Sequence, residues 1–232
     1  MNYIAALFLV FSQAVYSVNH VVMLGEAHVV IHYVPGSGKT FIHLHHNEQT
    51  ALKAAQTVIH QEGGSLITLI HSGGRNIVFH LNSMRYEFDP NRIFTDEGIR
   101  KTLTQMGNYS PEAHQEVNKL ALKIKQLLPE GKIVAVHNNS SYSLKDYLPG
   151  HELSNDAQAM HLNPKNYYRN FYLVTQVSDY LRLKMKGFNG VLQKPSATDD
   201  GSLSVLMAKN EYINVEAGYD QLSEQIKMLQ HA

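Results

Sequence analysis

Ser65-Leu66-Ile67-Thr68-Leu69-Ile70-His71 and Lys132-Ile133-Val134-Ala135-Val136-His137 are the two runs that decide the fold. Each is almost continuously apolar and too short for a buried helix, so each reads as a strand buried on both faces. Helical patterns flank them. From Glu48, residues Ala51, Leu52, Ala55, Val58 and Ile59 recur at i, i+1, i+4, i+7 and i+8, until Gly63-Gly64 ends the pattern. Pro111 to Leu128 is a long amphipathic segment, with Ser110 placed to cap it and Pro111 at the first helical position. Buried strands between helices require a sheet covered on both sides, so the expectation is one α/β domain.

Other segments fill in the sheet. His28 to Val34 and Thr40 to His45 read as strands around a hairpin turn at Pro35-Gly36-Ser37-Gly38. Asn76 to Leu81 and Met84 to Phe88 read as a strand pair. Tyr167 to Lys186 reads as mostly helical, and Gly190 to Gln193, Ser202 to Ala208 and Tyr212 to Glu216 as closing strands. Gly36-Ser37-Gly38-Lys39-Thr40 imitates the end of a phosphate-binding loop. That motif needs glycine where Tyr33 stands, and a helix where a strand follows, so a hairpin turn accounts for it better.

Composition narrows the chemistry. Lysine plus arginine and aspartate plus glutamate number 20 each in 232 residues, so no net charge draws the chain to nucleic acid or anionic lipid. The 44% apolar and 17% charged fractions suit a folded core. Cysteine is absent while histidine occurs 14 times, so any metal is held by imidazole and carboxylate. At the N-terminus, Ile4 to Val10 is an apolar run followed by small residues at Ala14 and Ser17. Residues 1–17 therefore read as a secretory signal peptide, with 18–232 as the single mature domain. Ser12 and Gln13 interrupt the run too early for a stable membrane span. The expected location is exported, periplasmic or secreted; if the segment is instead a buried first element of the fold, it is cytoplasmic.

Five short pieces carry potential chemistry. His45-His46-Asn47-Glu48 lies where a strand gives way to a helix, so His45 and Glu48 converge as two ligands of a His₂Glu site. His137 closes the strand Lys132 to Val136, and strand C-terminal ends are where α/β sheets bind ligands. Arg85 and Asn91-Arg92 sit beside a turn, and arginine is suited to grip a carboxylate or steady an oxyanion. Each of these arginines equally has a plain alternative as a surface ion pair with Asp89, Asp96 or Glu97. Glu216 ends a strand, where a carboxylate can act as general base.

Taken in order, these pieces resemble the site of the zinc carboxypeptidase superfamily, closest to the aspartoacylase and succinylglutamate desuccinylase branch. His45-His46-Asn47-Glu48 matches its H-x-N-E motif, Asn91-Arg92-Ile93-Phe94 its N-R-x-F motif with Arg85 upstream, and His137-Asn138-Asn139-Ser140-Ser141 its third-ligand segment. The resemblance spans about residues 28 to 225 and implies a three-layer αβα fold with a central mixed, largely parallel sheet. It implies one Zn²⁺ on His45, Glu48 and His137, with Glu216 as general base. It further implies Arg85 at the oxyanion and Asn91 with Arg92 on a terminal carboxylate. The substrate class is a peptide or acyl-amino acid with a free carboxylate. The branch's usual aspartate two residues before the third ligand is Ala135 here, so another group must orient His137. The chain is too short for the branch's additional C-terminal β-domain, which favours an open site and a peptide. Rival readings are an N-acyl-amino-acid deacylase, a 2-His-1-carboxylate Fe(II) oxygenase and a non-catalytic exported metal-binding protein. Lys194 to Ser202 is either a lid or a plain connection.

Overall fold

A computed structural model describes residues 16–71 and 74–232. The leader reading rests on residues that lie almost wholly outside the described ones; the described chain enters its first strand at Val18.

Nine strands form one sheet in the order β1-β2-β4-β3-β7-β11-β9-β10-β8. They are β1 (Val18–Leu24), β2 (Ala27–Val34), β3 (Thr40–His43), β4 (Ser65–Ile70), β7 (Ile133–Asn139), β8 (Ala157–His161), β9 (Phe171–Val174), β10 (Gly190–Gln193) and β11 (Tyr212–Gly218). A separate antiparallel ribbon pairs β5 (Ile77–Leu81) with β6 (Met84–Phe88). Strands β3, β7, β9, β10 and β11 are buried at every position, which is why their sequences run apolar without alternation. Side chains nevertheless alternate between two cores. Val134, Val136, Ile213 and Val215 pack against α1 (Gln49–Glu62), α4 (Val177–Met185) and α6 (Leu222–His231). Ile42, Ile67, Ile133, Ala135, Leu173 and Tyr212 pack in the opposite core, with α2 (Asp96–Gln105), α3 (Pro111–Leu127), the one-turn α5 (Leu203–Leu206) and the β5–β6 ribbon. The expected layering of helices on both faces of a mixed sheet holds.

The expectation of a largely parallel sheet does not. The parallel junctions are β3–β4, β3–β7, β7–β11 and β9–β10. As many are antiparallel: β1–β2, β2–β4, β9–β11 and β8–β10. The parallel block β4-β3-β7-β11 forms the centre.

Three local readings are also corrected. Residues 35–38 do not close a hairpin, because β4 lies between β2 and β3. The segment crosses the start of β4, where Ser65 Oγ donates to the Gly36 carbonyl oxygen at 2.9 Å. A Cβ at Gly36 would lie 2.0 Å from the Gly64 oxygen, so glycine is required at the crossing. Tyr167 to Lys186 is strand β9 followed by helix α4; a four-residue apolar run gives no period to separate the two states. Ser202 to Ala208 contains a helical turn instead of a strand, started where the Leu203 N–H donates to Asn91 Oδ1 at 3.1 Å. Among the described residues no helix is long and apolar enough to cross a membrane.

Candidate metal centre

The C-terminal ends of β3, β7 and β11 point to one edge of the sheet, beside the first turn of α1. Glu48 is the residue that caps α1, yet its side chain makes no cap bond. Asn138 Oδ1 takes that task, accepting from the Ala51 N–H at 2.8 Å. The Glu48 carboxylate is thereby left to turn inward, at a helix N-terminus that favours negative charge.

Three fully or almost fully buried side chains meet there. His45 Nδ1 lies 3.1 Å from Glu48 Oε1 and 3.1 Å from His137 Nδ1, and His137 Nδ1 lies 3.0 Å from Glu48 Oε2. One ligand atom from each residue falls within 4.8 Å of the others, a grouping able to hold a metal ion. A tetrahedral zinc with bonds of about 2.0–2.1 Å would set its ligand atoms about 3.3 Å apart. The separations fit that requirement. The two imidazole Nδ1 atoms face each other at 3.1 Å, a separation that either one shared proton or a cation bound to both can bridge.

Asp89 stands behind His45. The His45 Nε2–H donates to Asp89 Oδ1 at 2.7 Å, which turns Nδ1 toward Glu48 and His137, where it can carry the ring's second proton or bind a metal ion. The Asn91 N–H also donates to Asp89 Oδ1, at 2.8 Å. Arg75 completes the surround, donating to Glu48 Oε1 and, at 3.4 Å, to Asp89 Oδ2. Burial disfavours a charged His45, but Asp89 and Glu48 outweigh it and raise its pKa to about 9. Burial likewise works against the Glu48 carboxylate, yet His45 and His137 hold it well below the usual range. The two carboxylates thus call for positive charge at this point, as a proton on His45 or as a cation in its place.

The expected residues are distributed unevenly around this cluster. His45, Glu48 and His137 come together as expected. Glu216 stands in direct register with His137 across the parallel β7–β11 ladder, so both side chains leave the same face. Its carboxylate accepts from Asn139 Nδ2 at 3.0 Å and from Asn214 Nδ2 at 3.1 Å. Glu48, His137, Glu216, Arg75, Asn91 and Arg92 all line one cleft of about 760 Å³. Asn91 reaches it with its side-chain oxygen already engaged by Leu203, and Arg92 reaches it beside Asp200, NH1 to Oδ2 3.4 Å.

Arg85 is not brought to the cluster. On β6 it shares the outer face with Glu87, to which it is ion-paired, while Tyr86 and Phe88 take the inner face. Strand alternation excludes it from the cleft, and Arg75 occupies the neighbourhood expected for it. His43, one of the competing histidines, is turned away, with Nδ1 on Thr68 Oγ1 at 2.9 Å and Nε2 on the Glu48 carbonyl at 3.0 Å. His46 packs edge-on against His71. No described group meets the need created by Ala135, since His137 Nε2 is buried with no hydrogen-bond partner. Residues 194–202 are tied down: Thr198 bonds Asp156, Lys101 bonds the Asp199 carbonyl, and the Phe94 N–H bonds the Gly201 carbonyl.

Asp89, Arg75 and the amides of Asn139 and Asn214 were not singled out from sequence. Asp89 had a signal, standing two residues before Asn91 in the motif-bearing stretch. Arg75 had none, because a loop between β4 and β5 brings it in. No protein-family model matches the chain, and neither a curated protein nor a solved structure shows significant similarity to it.

Proposed function

We propose that the protein is a zinc-dependent amide hydrolase of the carboxypeptidase type, acting on an amide next to a terminal carboxylate. The observation that carries this reading is the convergence of His45, Glu48 and His137, with Glu216 in register beside His137. The parallel strand block β4-β3-β7-β11 under the cluster is consistent with a zinc-carboxypeptidase-like arrangement, and the apolar leader over residues 1–17 supports export.

His45, Glu48 and His137 would hold the ion, with Asp89 fixing the tautomer of His45. Bound there, zinc would supply a Lewis acid and lower the pKa of water to about 7. Glu216, oriented by two amide N–H donors, takes a proton from the attacking water and delivers it to the leaving nitrogen. Arg75 takes the oxyanion role expected of Arg85, a contribution of roughly 2.7–4 kcal/mol for one comparable donor. Arg92 and Asn91 hold the terminal carboxylate. An N-acyl-amino-acid deacylase would use the same residues, so the substrate separates the two.

The test is hydrolysis by the zinc-loaded protein of a panel of peptides and N-acyl-amino acids, alongside Glu216→Gln. The expected result is turnover by the parent and loss of roughly 10²- to 10⁴-fold in the variant, with metal content unchanged. Full activity in Glu216→Gln, or no turnover of any panel member by the parent, overturns the proposal.

A further inference from the structure

Helix α6 buries Gln225, Met228 and Leu229 along one face, at i, i+3 and i+4. Met228 and Leu229 belong to the apolar core that also holds Ala51, Ala55 and Val58 of α1. Gln225 breaks that pattern, being an amide with no exposed surface. Burying an amide is unfavourable unless its polar ends are hydrogen-bonded. Both ends are engaged. The Gln225 Nε2–H donates to the His137 carbonyl oxygen at 2.9 Å, and Oε1 accepts from Asn138 Nδ2 at 2.9 Å. Asn138 passes the link on, its Oδ1 accepting from the Ala51 N–H at 2.8 Å. The relay runs in one direction only. The His137 carbonyl can only accept and so needs the Gln225 NH₂, whereas the Ala51 N–H can only donate and so needs Asn138 Oδ1. Neither amide can be reversed without setting like groups against each other.

The relay joins the two segments that bring Glu48 and His137 together. The peptide unit between His137 and Asn138 is gripped at both ends by side chains: its carbonyl accepts from Gln225, and its N–H donates to Glu48 Oε2 at 3.1 Å. The β3–β7 ladder has already ended at Ala135. At the other end of the relay, Ala51 lies in the first turn of α1, which starts directly after Glu48. Helix α6 is itself a fixed base. The Tyr172 O–H donates to the Met228 carbonyl at 2.8 Å, and Lys39 Nζ donates to the Leu229 and Gln230 carbonyls at 3.1 and 3.0 Å.

Resting on the assignment of His45, Glu48 and His137 as metal ligands, we infer that Gln225 is a positioning residue of the metal centre. Through Asn138 it sets the spacing of Glu48 and His137. A helix that carries none of the three ligands thereby governs how tightly, and in what geometry, the ion is held.

Gln225→Met keeps a side chain of similar length on the helix and removes both bonds. Two readouts on the whole chain test it: zinc affinity by competition with a chelator, and the visible absorption of the Co²⁺-loaded protein, whose bands report ligand geometry. The expected result is zinc binding weakened by about tenfold, with the cobalt bands shifted from those of the parent. Gln225→Asn, whose amide falls a methylene short of the His137 carbonyl, is expected to show a smaller loss of the same sign, and it carries the test if the methionine variant does not fold. Leu229→Ala is the control. It loosens the same buried face of α6 but its side chain hydrogen-bonds neither ligand segment, so its folded form is expected to bind zinc within about twofold of the parent. Circular dichroism establishes that each variant is folded under the assay conditions. Parent-like zinc affinity and cobalt bands in a folded Gln225 variant overturn the inference. An equal loss of affinity in Leu229→Ala also overturns it, because the effect would then be general loosening. A parent that binds no zinc sinks the metal-centre assignment and this inference with it. The titrations need no turnover, so absence of hydrolysis by a zinc-binding parent counts against the hydrolase reading alone.

Discussion

Removing the carboxylate behind His45 tests the metal centre through a residue that would not touch the ion. Asp89 accepts from His45 Nε2–H at 2.7 Å and so directs Nδ1 toward Glu48 and His137. Asp89→Ala deletes that bond, the acceptor for the Asn91 N–H at 2.8 Å and the second contact of Arg75. Loss of such an outer partner lowers metal affinity by about 10- to 100-fold, or roughly 1.4–2.7 kcal/mol. Because three contacts go at once, Asp89→Ala belongs at the upper end of that range. Asp89→Asn keeps an oxygen that can face His45 and the Asn91 N–H, but directs its NH₂ toward Arg75 and loses the charge. It belongs near the lower end. Zinc affinity measured by competition with a chromophoric chelator at fixed pH reads both. An affinity for Asp89→Ala within twofold of the parent would refute the reasoning.

Other consequences follow from buried contacts. Asn138→Ala leaves the Ala51 N–H without its 2.8 Å acceptor and Gln225 Oε1 without its 2.9 Å donor, and is expected to cost about 1–3 kcal/mol per unsatisfied group in urea unfolding. A loss under about 0.5 kcal/mol would contradict that role. Burial works against the Asp179 carboxylate, but its bonds from Lys132 at 2.8 Å and Arg182 at 2.7 Å lower its pKa. A depressed folded-state value gives stability that is present above the unfolded value of about 3.9 and lost as pH falls through the folded one. The melting-temperature advantage of the parent over Asp179→Asn should therefore be full near neutrality and shrink below about pH 4; an advantage independent of pH would rule this out. Gly98→Ala drives a methyl group into the Gly201 backbone, and is expected to lose about 1–3 kcal/mol of stability. Unchanged thermal unfolding in that variant would show that the close approach is not needed.

The central strands and the ligand triad were legible in the sequence for the same physical reason. Strands buried on both faces leave uninterrupted apolar runs, and their polar ends mark the sheet edge, as Val136-His137 and Val215-Glu216 do. The readings that failed depended on contacts outside the segment being read. Whether β2 and β3 are neighbours is decided by β4, which enters only after α1. Phe171–Val174 is a strand because β11 and β10 flank it, not because its own sequence has a period of two. The side of the ribbon that Arg85 faces follows from its register with His80, and one residue of slip would have turned it inward. Arg75 reaches Glu48 and Asp89 by tertiary approach alone. Asp89 was visible yet indistinguishable from a surface partner for nearby arginines until His45 was found beside it.

The central claim is that one ion is shared by His45, Glu48 and His137. A crystal structure of zinc-loaded protein, with anomalous scattering recorded at the zinc edge, tests it most directly. The predicted result is a single strong peak about 2.0–2.2 Å from His45 Nδ1, His137 Nδ1 and a Glu48 carboxylate oxygen, with Asp89 still bonded to His45 Nε2. A protein that binds no zinc, or a peak that lies away from these three side chains, would contradict the account.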